Sequence, residues 1–274
     1  MDKIIEYMLA EDEGFGDITS NAVVEKDKIV NAQIVSKDEG VLAGIDIIRE
    51  LFEEKGVSIL SCLRDGEEIS KGDLLISLSG NARTILLLER TALNLLMRMS
   101  GVASAANNYV NLVKDYDVRI AGTRKTSPAL GKFDKYALGV GGADTHRFGL
   151  DDMVLIKDNH IAACGTPLEA LLKAKENISF SKKIEIEVET LDDAIECVKN
   201  GADIVMLDNM SPEEVNEVLF ELEKLNIRQN SLIEVSGGIT EDTILDYAKL
   251  GVDIISIGAL THSSRSLNFS LRIE

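Results

Sequence analysis

Apolar and polar positions change rhythm twice along the chain. From residue 17 to 80, short β-rich runs alternate with turn signals. Residues 32–36, 57–63 and 74–78 read as strands, with Asp65-Gly66 and Lys71-Gly72 marking turns. Between the first two, residues 45–55 put Ile45, Ile48, Leu51 and Phe52 on one helical face. The pattern is α+β, a small antiparallel sheet covered on one side by helices. Residues 82–114 read as two helices broken near Ser100-Gly101. In the first, apolar residues recur almost all round, which predicts burial on every side. Arg90 shares a face there with Leu86, Leu93 and Met97. An arginine so placed must snorkel, pair with a carboxylate of another segment, or meet an anion.

From Val118 the rhythm becomes short apolar strands alternating with amphipathic helices. Strands are predicted at 118–121, 153–156, 184–188, 204–207, 232–235 and 254–257, with helices at 167–176, 191–200, 212–225 and 241–250. The last four strands start 20, 28 and 22 residues apart, the spacing of repeated βα units and hence of a parallel sheet. With a candidate seventh strand at 136–140, these predict a closed or nearly closed α/β barrel; an open doubly wound sheet has the same periodicity. The domain reading is an N-terminal α+β domain, 1–114, and an α/β barrel domain, 115–274, whose last residues can pack back on the first.

Composition narrows the function. The chain has 274 residues, 28% charged, with a formal net charge of −18. Such acidity argues against general nucleic-acid or anionic-membrane partners, which need basic surfaces. No apolar run approaches the roughly 18 residues of a membrane span, and the N-terminus has no apolar signal core. Cys62, Cys164 and Cys197 are far apart and odd in number, and read as buried thiols of a cytoplasmic protein. The cations are gathered in one segment: residues 119–160 hold seven Lys/Arg against five Asp/Glu, a net of +2 in this acidic chain.

In α/β barrels, functional groups stand where strands end at their carboxyl side. Those positions carry Thr123-Arg124-Lys125, Lys157-Asp158-Asn159-His160, Glu187 with Glu189, Asp208-Asn209, Ser236-Gly237-Gly238 and Gly258 to His262. Early strands end in cations, middle ones in carboxylates, and the last two in Gly/Ser turns. An ordinary solvated rim would mix these. Glycine turns after the final strands suit a phosphate, held by backbone N–H groups. Glu187 and Asp208 could hold magnesium through carboxylates plus substrate oxygens, although Asp208 could equally cap a helix. His146, His160 and His262 all fall in these regions. Arg124, Lys125, Arg147 and Lys157 together suit a small polyanion.

These stretches resemble the quinolinate phosphoribosyltransferase family. The match runs in order through EDEGFGDITS (11–20), ERTALNLL (89–96), the long block 123–160, EIEVET (185–190), IVMLDN (204–209), EVSGGI (234–239) and GVDIISIGALTHS (251–263). The resemblance implies an N-terminal α/β sandwich domain and an incomplete barrel. It also implies a homodimer whose site is completed by the partner's N-terminal domain. The reaction implied joins quinolinate to 5-phosphoribosyl 1-pyrophosphate with loss of carbon dioxide, using magnesium and no organic cofactor. Residue by residue, Arg90 matches an arginine given across the interface to the substrate carboxylates. Arg124, His146, Arg147 and Lys157 match positions around the pyridine dicarboxylate, and Lys125 one near the reaction centre. Glu187 and Asp208 match the carboxylates serving ribose and magnesium; Ser236, Gly237, Gly258 and His262 match the 5-phosphate cradle. The resemblance implies that Lys125, Lys157, Glu187 and Asp208 form the catalytic set. Ala129 and Ala143 stand where glycine is expected, and Ser127 where threonine is. Other readings are a paralogue acting on another base, a non-catalytic metabolite-binding protein, and a Schiff-base aldolase using Lys157 or Lys125.

Overall fold

The computed structural model describes residues 2–274, and none of their helices is long and apolar enough to cross a membrane. The first elements are α1 (Lys3–Glu13), α2 (Ile18–Val23), β1 (Ile29–Ser36), β2 (Gly40–Val41) and α3 (Ile45–Glu54). Next come β3 (Ser58–Cys62), β4 (Glu68–Ile69), β5 (Leu74–Asn81) and α4 (Ala82–Leu112). Then follow β6 (Arg119–Ala121), α5 (Gly131–Val140), β7 (Val154–Ile156), α6 (Asp158–Cys164), α7 (Pro167–Asn177), β8 (Ile184–Val188) and α8 (Leu191–Lys199). The chain closes with β9 (Ile204–Asp208), α9 (Pro212–Lys224), β10 (Leu232–Ser236), α10 (Ile244–Ala248), β11 (Ile254–Ser256), α11 (Ala259–His262) and β12 (Phe269–Ile273). Two compact units result. One takes the chain up to Asn107 together with Ser127–Gly142 and Ser263–Glu274; the other takes Asn108–Thr126 and Ala143–His262.

In the first unit, an antiparallel sheet runs in the order β12-β1-β5-β3, with Ile34 opposite both Ile76 and Leu271. Along β1 the alternate residues Ala32, Ile34 and Ser36 are buried, the period-two pattern of a half-buried strand. Helix α3 buries Ile45, Ile48, Leu51 and Phe52, the face read from their spacing. Its first N–H, on Ile45, donates to the Asp65 carboxylate at 2.9 Å, and the Tyr136 hydroxyl donates to the other oxygen at 2.6 Å.

Two local expectations fail here, for physical reasons. Residues 82–112 form one unbroken helix, not two. Ser100 and Gly101 mark contacts, not a break: the Ala43 N–H donates to the Ser100 hydroxyl at 3.0 Å, and a Cβ on Gly101 would lie 2.2 Å from the Arg265 carbonyl oxygen. The candidate strand at 136–140 lies within helix α5, whose Phe133, Asp134, Ala137 and Leu138 are buried at helical spacing. A five-residue apolar run does not separate the two periods. Asp134 is held by Arg98 through paired bonds of 3.0 Å each. Ala129, where glycine was expected, adopts φ +64°, a conformation that costs an L-residue about 1 kcal/mol.

The second unit is the barrel. Six parallel strands run in the order β6-β11-β10-β9-β8-β7, and among the described residues β6 and β7 do not pair, so the barrel is open at that seam. The stretch before His146 extends the β6 edge: Gly122 N–H donates to the Asp144 carbonyl at 2.9 Å and Asp144 N–H to that of Ile120 at 2.8 Å. The extra strand-like pairing is thus at Asp144, not at 136–140.

Candidate active site

Parallel pairing puts the carboxyl ends of all six strands at one rim. Ser236 and Asp208 face each other in register on β10 and β9, and Glu187 on β8 pairs with Met206, one step of the pleat earlier. Side chains two apart along a strand share a face, so Glu187, Asp208 and Ser236 point to one side of the sheet. Lys157 follows β7 directly and its ammonium is ion-paired with Glu187. The Glu187 side chain is only 10% exposed, while that of Lys157 is 43% exposed and open to a ligand.

Arg124 and Lys125 follow β6 and are exposed. Arg147 is half-buried, and one of its guanidinium nitrogens donates to the Met153 carbonyl at 3.4 Å. Burial, and then the like charge of Arg124, lower the Arg147 pKa below its ordinary value. An anion near both guanidiniums would offset that repulsion.

The glycine turns are built for close approach. Gly237 has φ +100°, and a Cβ there would lie 2.2 Å from the Asn209 side-chain oxygen and 2.9 Å from its backbone nitrogen. Asn209 itself sits at φ +55°, its N–H donating to the Ser236 carbonyl at 2.9 Å and its Nδ2 to Asp208 at 2.6 Å. At Gly258 a Cβ would come within 3.2 Å of both His262 Nε2 and Lys125 Cδ. Buried Thr261 donates its hydroxyl to the Lys125 carbonyl at 2.7 Å, which fixes the base of that lysine. Ser236, Gly237, Gly258, His262 and Lys125 thus converge on two adjoining turns.

His146 is placed differently. It stands at φ +52° just past the Asp144 pairing, with its ring turned inward: Nε2 lies 3.3 Å from Glu185 and 3.4 Å from Glu234. Both glutamates are fully buried, and none of their four carboxylate oxygens has a hydrogen bond of good geometry. Burial works against a charged ring, whereas the two carboxylates beside Nε2 favour one. Burial also raises the pKa of Glu185. On the other side of the ring, Nδ1 accepts the Arg147 N–H at 2.9 Å and so carries no proton in this arrangement. His160 is an exposed helix residue whose Nδ1 accepts the Lys157 N–H at 2.9 Å.

Arg90 belongs to the first unit. It is exposed, so the burial cost expected from its helical face does not arise. It lines a cavity of about 320 Å³ together with Met8, Glu11, Thr91, Asn94 and Arg98. The cysteines also depart from expectation: Cys197 is buried, but Cys62 and Cys164 are only half-buried.

Comparison with known proteins decides the family. Residues 17–100 match the N-terminal domain model, and residues 102–272 the C-terminal domain model, of quinolinate phosphoribosyl transferase. The chain belongs to the quinolinate phosphoribosyltransferase family. A relative from Methanocaldococcus jannaschii, a probable nicotinate-nucleotide pyrophosphorylase (carboxylating), is 50% identical across 99% of this chain and 96% of its own length. The nicotinate-nucleotide pyrophosphorylase (carboxylating) of Rattus norvegicus is 37% identical across 88% of this chain and 81% of its own. Among solved structures, NadC from Streptococcus pyogenes superposes with a TM-score of 0.93 at 37% identity, covering 100% of this chain and 96% of that one.

Within this quinolinate phosphoribosyltransferase family member, two features escaped sequence reasoning. Glu185 and Glu234 were given no role, although each lies two residues before a rim residue and therefore on the same strand face. A glutamate inside an otherwise apolar parallel strand is the signal that could have found them. Asn209 was placed at a strand end, but its contact with Gly237 was not legible.

Proposed function

We propose that this protein transfers the phosphoribosyl group of 5-phosphoribosyl 1-pyrophosphate to quinolinate, giving nicotinate mononucleotide, pyrophosphate and carbon dioxide in NAD biosynthesis. The observation that carries this reading is the sorting of charge around one barrel rim: paired arginines, then a Lys157–Glu187 ion pair, then glycine turns closed around Lys125 and His262. A dicarboxylate fits the first group and a phosphorylated sugar the last.

In the reaction, the bond between ribose C1 and pyrophosphate breaks as the pyridine nitrogen bonds to C1. The cationic ring then accepts the electron pair of the adjacent C–C bond as carbon dioxide leaves, and a proton takes its place. Arg124, Arg147 and Lys157 orient the carboxylates so that the nitrogen meets C1, which supplies much of the acceleration through positioning. Lys125 neutralises charge growing on the departing pyrophosphate. Ser236, Gly237, Gly258 and His262 anchor the 5-phosphate, so binding energy remote from C1 fixes the ribose. The residues fit magnesium: Glu187 and Asp208 are hard carboxylate donors on neighbouring strands of one face and would hold the ion together with substrate oxygens. When bound, the ion supplies neutralisation of pyrophosphate charge. No role arises for an organic cofactor, since the substituted pyridinium is its own electron sink. Of the two lysines an aldolase could use, Lys157 has its amine ion-paired with Glu187, and Lys125 stands at the Gly258 turn suited to phosphate.

Incubation with quinolinate, 5-phosphoribosyl 1-pyrophosphate and magnesium should release carbon dioxide and nicotinate mononucleotide in equal amounts; release of neither across pH and salt would sink the reading. The exposed position of Arg90 supports a homodimer in which it serves the partner's site. Inactive Arg90→Ala and Lys157→Ala chains, mixed and proven to form heterodimers, should regain activity, because one mixed site is intact. Heterodimers that stay inactive would rule out sharing.

A further inference from the structure

The cluster under the rim has a consequence for His146 that its sequence position conceals. Both ring nitrogens are already engaged by the protein. Nε2 faces Glu185 and Glu234 at 3.3 and 3.4 Å, and Nδ1 accepts the Arg147 backbone N–H at 2.9 Å. The ring is turned into the barrel, its side chain 11% exposed and its two acidic partners fully buried. A ring so held has no free nitrogen for a substrate carboxylate.

It does control the backbone of its neighbour. His146 occupies the left-handed region at φ +52°, which disfavours non-glycine residues unless something over-determines it. Three contacts do so: the ring's hold on the two strands, the bond from Arg147 N–H to Nδ1, and the bond from His146 N–H to the Asp144 side chain at 2.7 Å. The next residue is Arg147, whose guanidinium comes close enough to Arg124 to feel its charge. We propose that His146, tethered to Glu185 on β8 and Glu234 on β10, is a positioning residue that aims Arg147 at the substrate and does not itself contact it. The glutamates then serve as buried anchors of that tether.

This rests on the quinolinate reading, so the test has an arm that does not. Steady-state constants are measured for the wild type, Glu234→Gln, His146→Asn (asparagine tolerates positive φ) and Arg147→Ala, and for each of the first two variants combined with Arg147→Ala. Glu234→Gln and His146→Asn should each raise the quinolinate KM about tenfold, with kcat and the KM for 5-phosphoribosyl 1-pyrophosphate within about twofold. On the Arg147→Ala background they should add less than about twofold, because the residue they act through is gone. Where Glu234→Gln unfolds on heating well below the wild type, Glu185→Gln carries the same expectation. Effects that multiply fully on the Arg147→Ala background, or a His146→Asn effect that neither glutamate variant reproduces, would overturn the proposal in favour of direct contact. The independent arm is ¹⁵N NMR of histidine-labelled protein. His146 should show a bare Nδ1 with or without saturating quinolinate. A protonated Nδ1, or an Nε2 resonance displaced by ligand, would contradict the tether whatever the enzyme turns over.

Discussion

Lys157→Ala is expected to lower kcat/KM for quinolinate by about 10²–10³-fold while the protein remains folded. The residue stands just past β7 with its side chain 43% exposed, so its removal leaves no core cavity. What is lost is charge at a point where two negative groups meet. Glu187, only 10% exposed, would keep its carboxylate without the ammonium that balances it, and that carboxylate would then oppose an incoming anion. Lys157→Arg should recover little, because a planar guanidinium cannot occupy the place of a compact ammonium against Glu187. Steady-state kinetics beside a thermal melt makes the check. Retention of wild-type activity in Lys157→Ala would remove this lysine from the site.

The largest expected effect on stability lies in the other unit. Arg98→Ala should destabilise the fold by about 3–5 kcal/mol, because it strands a buried charge. Asp134 is wholly buried and meets Arg98, 16% exposed, through two bonds of 3.0 Å. The same reasoning sets a contrast: replacing both partners by apolar residues, Arg98→Met with Asp134→Leu, should cost much less than Arg98→Ala alone. Chemical denaturation of the three proteins gives the comparison. A double variant no more stable than the single one would mean that the lost stability comes from packing and not from the orphaned carboxylate.

Much of this was legible in the primary structure, and the exceptions share a cause. Six barrel strands were readable because apolar runs bounded by helical stretches recur at βα spacing. The rim residues were readable because each sits where such a run stops. Residues 136–140 were not, since Tyr136, Ala137, Leu138 and Val140 fit strand or helix over so short a window. Ser100-Gly101 misled for another reason: small polar residues break isolated helices, but here they admit the Arg265 backbone and the Ala43 N–H. His146 falls in the strand-end region by position, yet its ring faces Glu185 and Glu234, which lie 39 and 88 residues further along the chain. Contacts of that range are settled by tertiary closure, and only the oddity of a glutamate inside an apolar strand announces them.

Charge tells the same story at two scales. The chain carries a net charge of −18, whereas the rim carries Arg124, Lys125, Arg147 and Lys157, which under the proposed function meet strongly negative ligands. If Arg124 and Arg147 both serve the substrate, two carboxylates should be needed to satisfy them. The most direct measurement is therefore kcat/KM for quinolinate and for nicotinate, its single-carboxylate analogue, in the same preparation with 5-phosphoribosyl 1-pyrophosphate. Quinolinate should be used with carbon dioxide released at each turnover, and nicotinate at least about 10³-fold less well, the penalty of leaving a charged site unpaired. Equal use of the two substrates would contradict a dicarboxylate site at this rim.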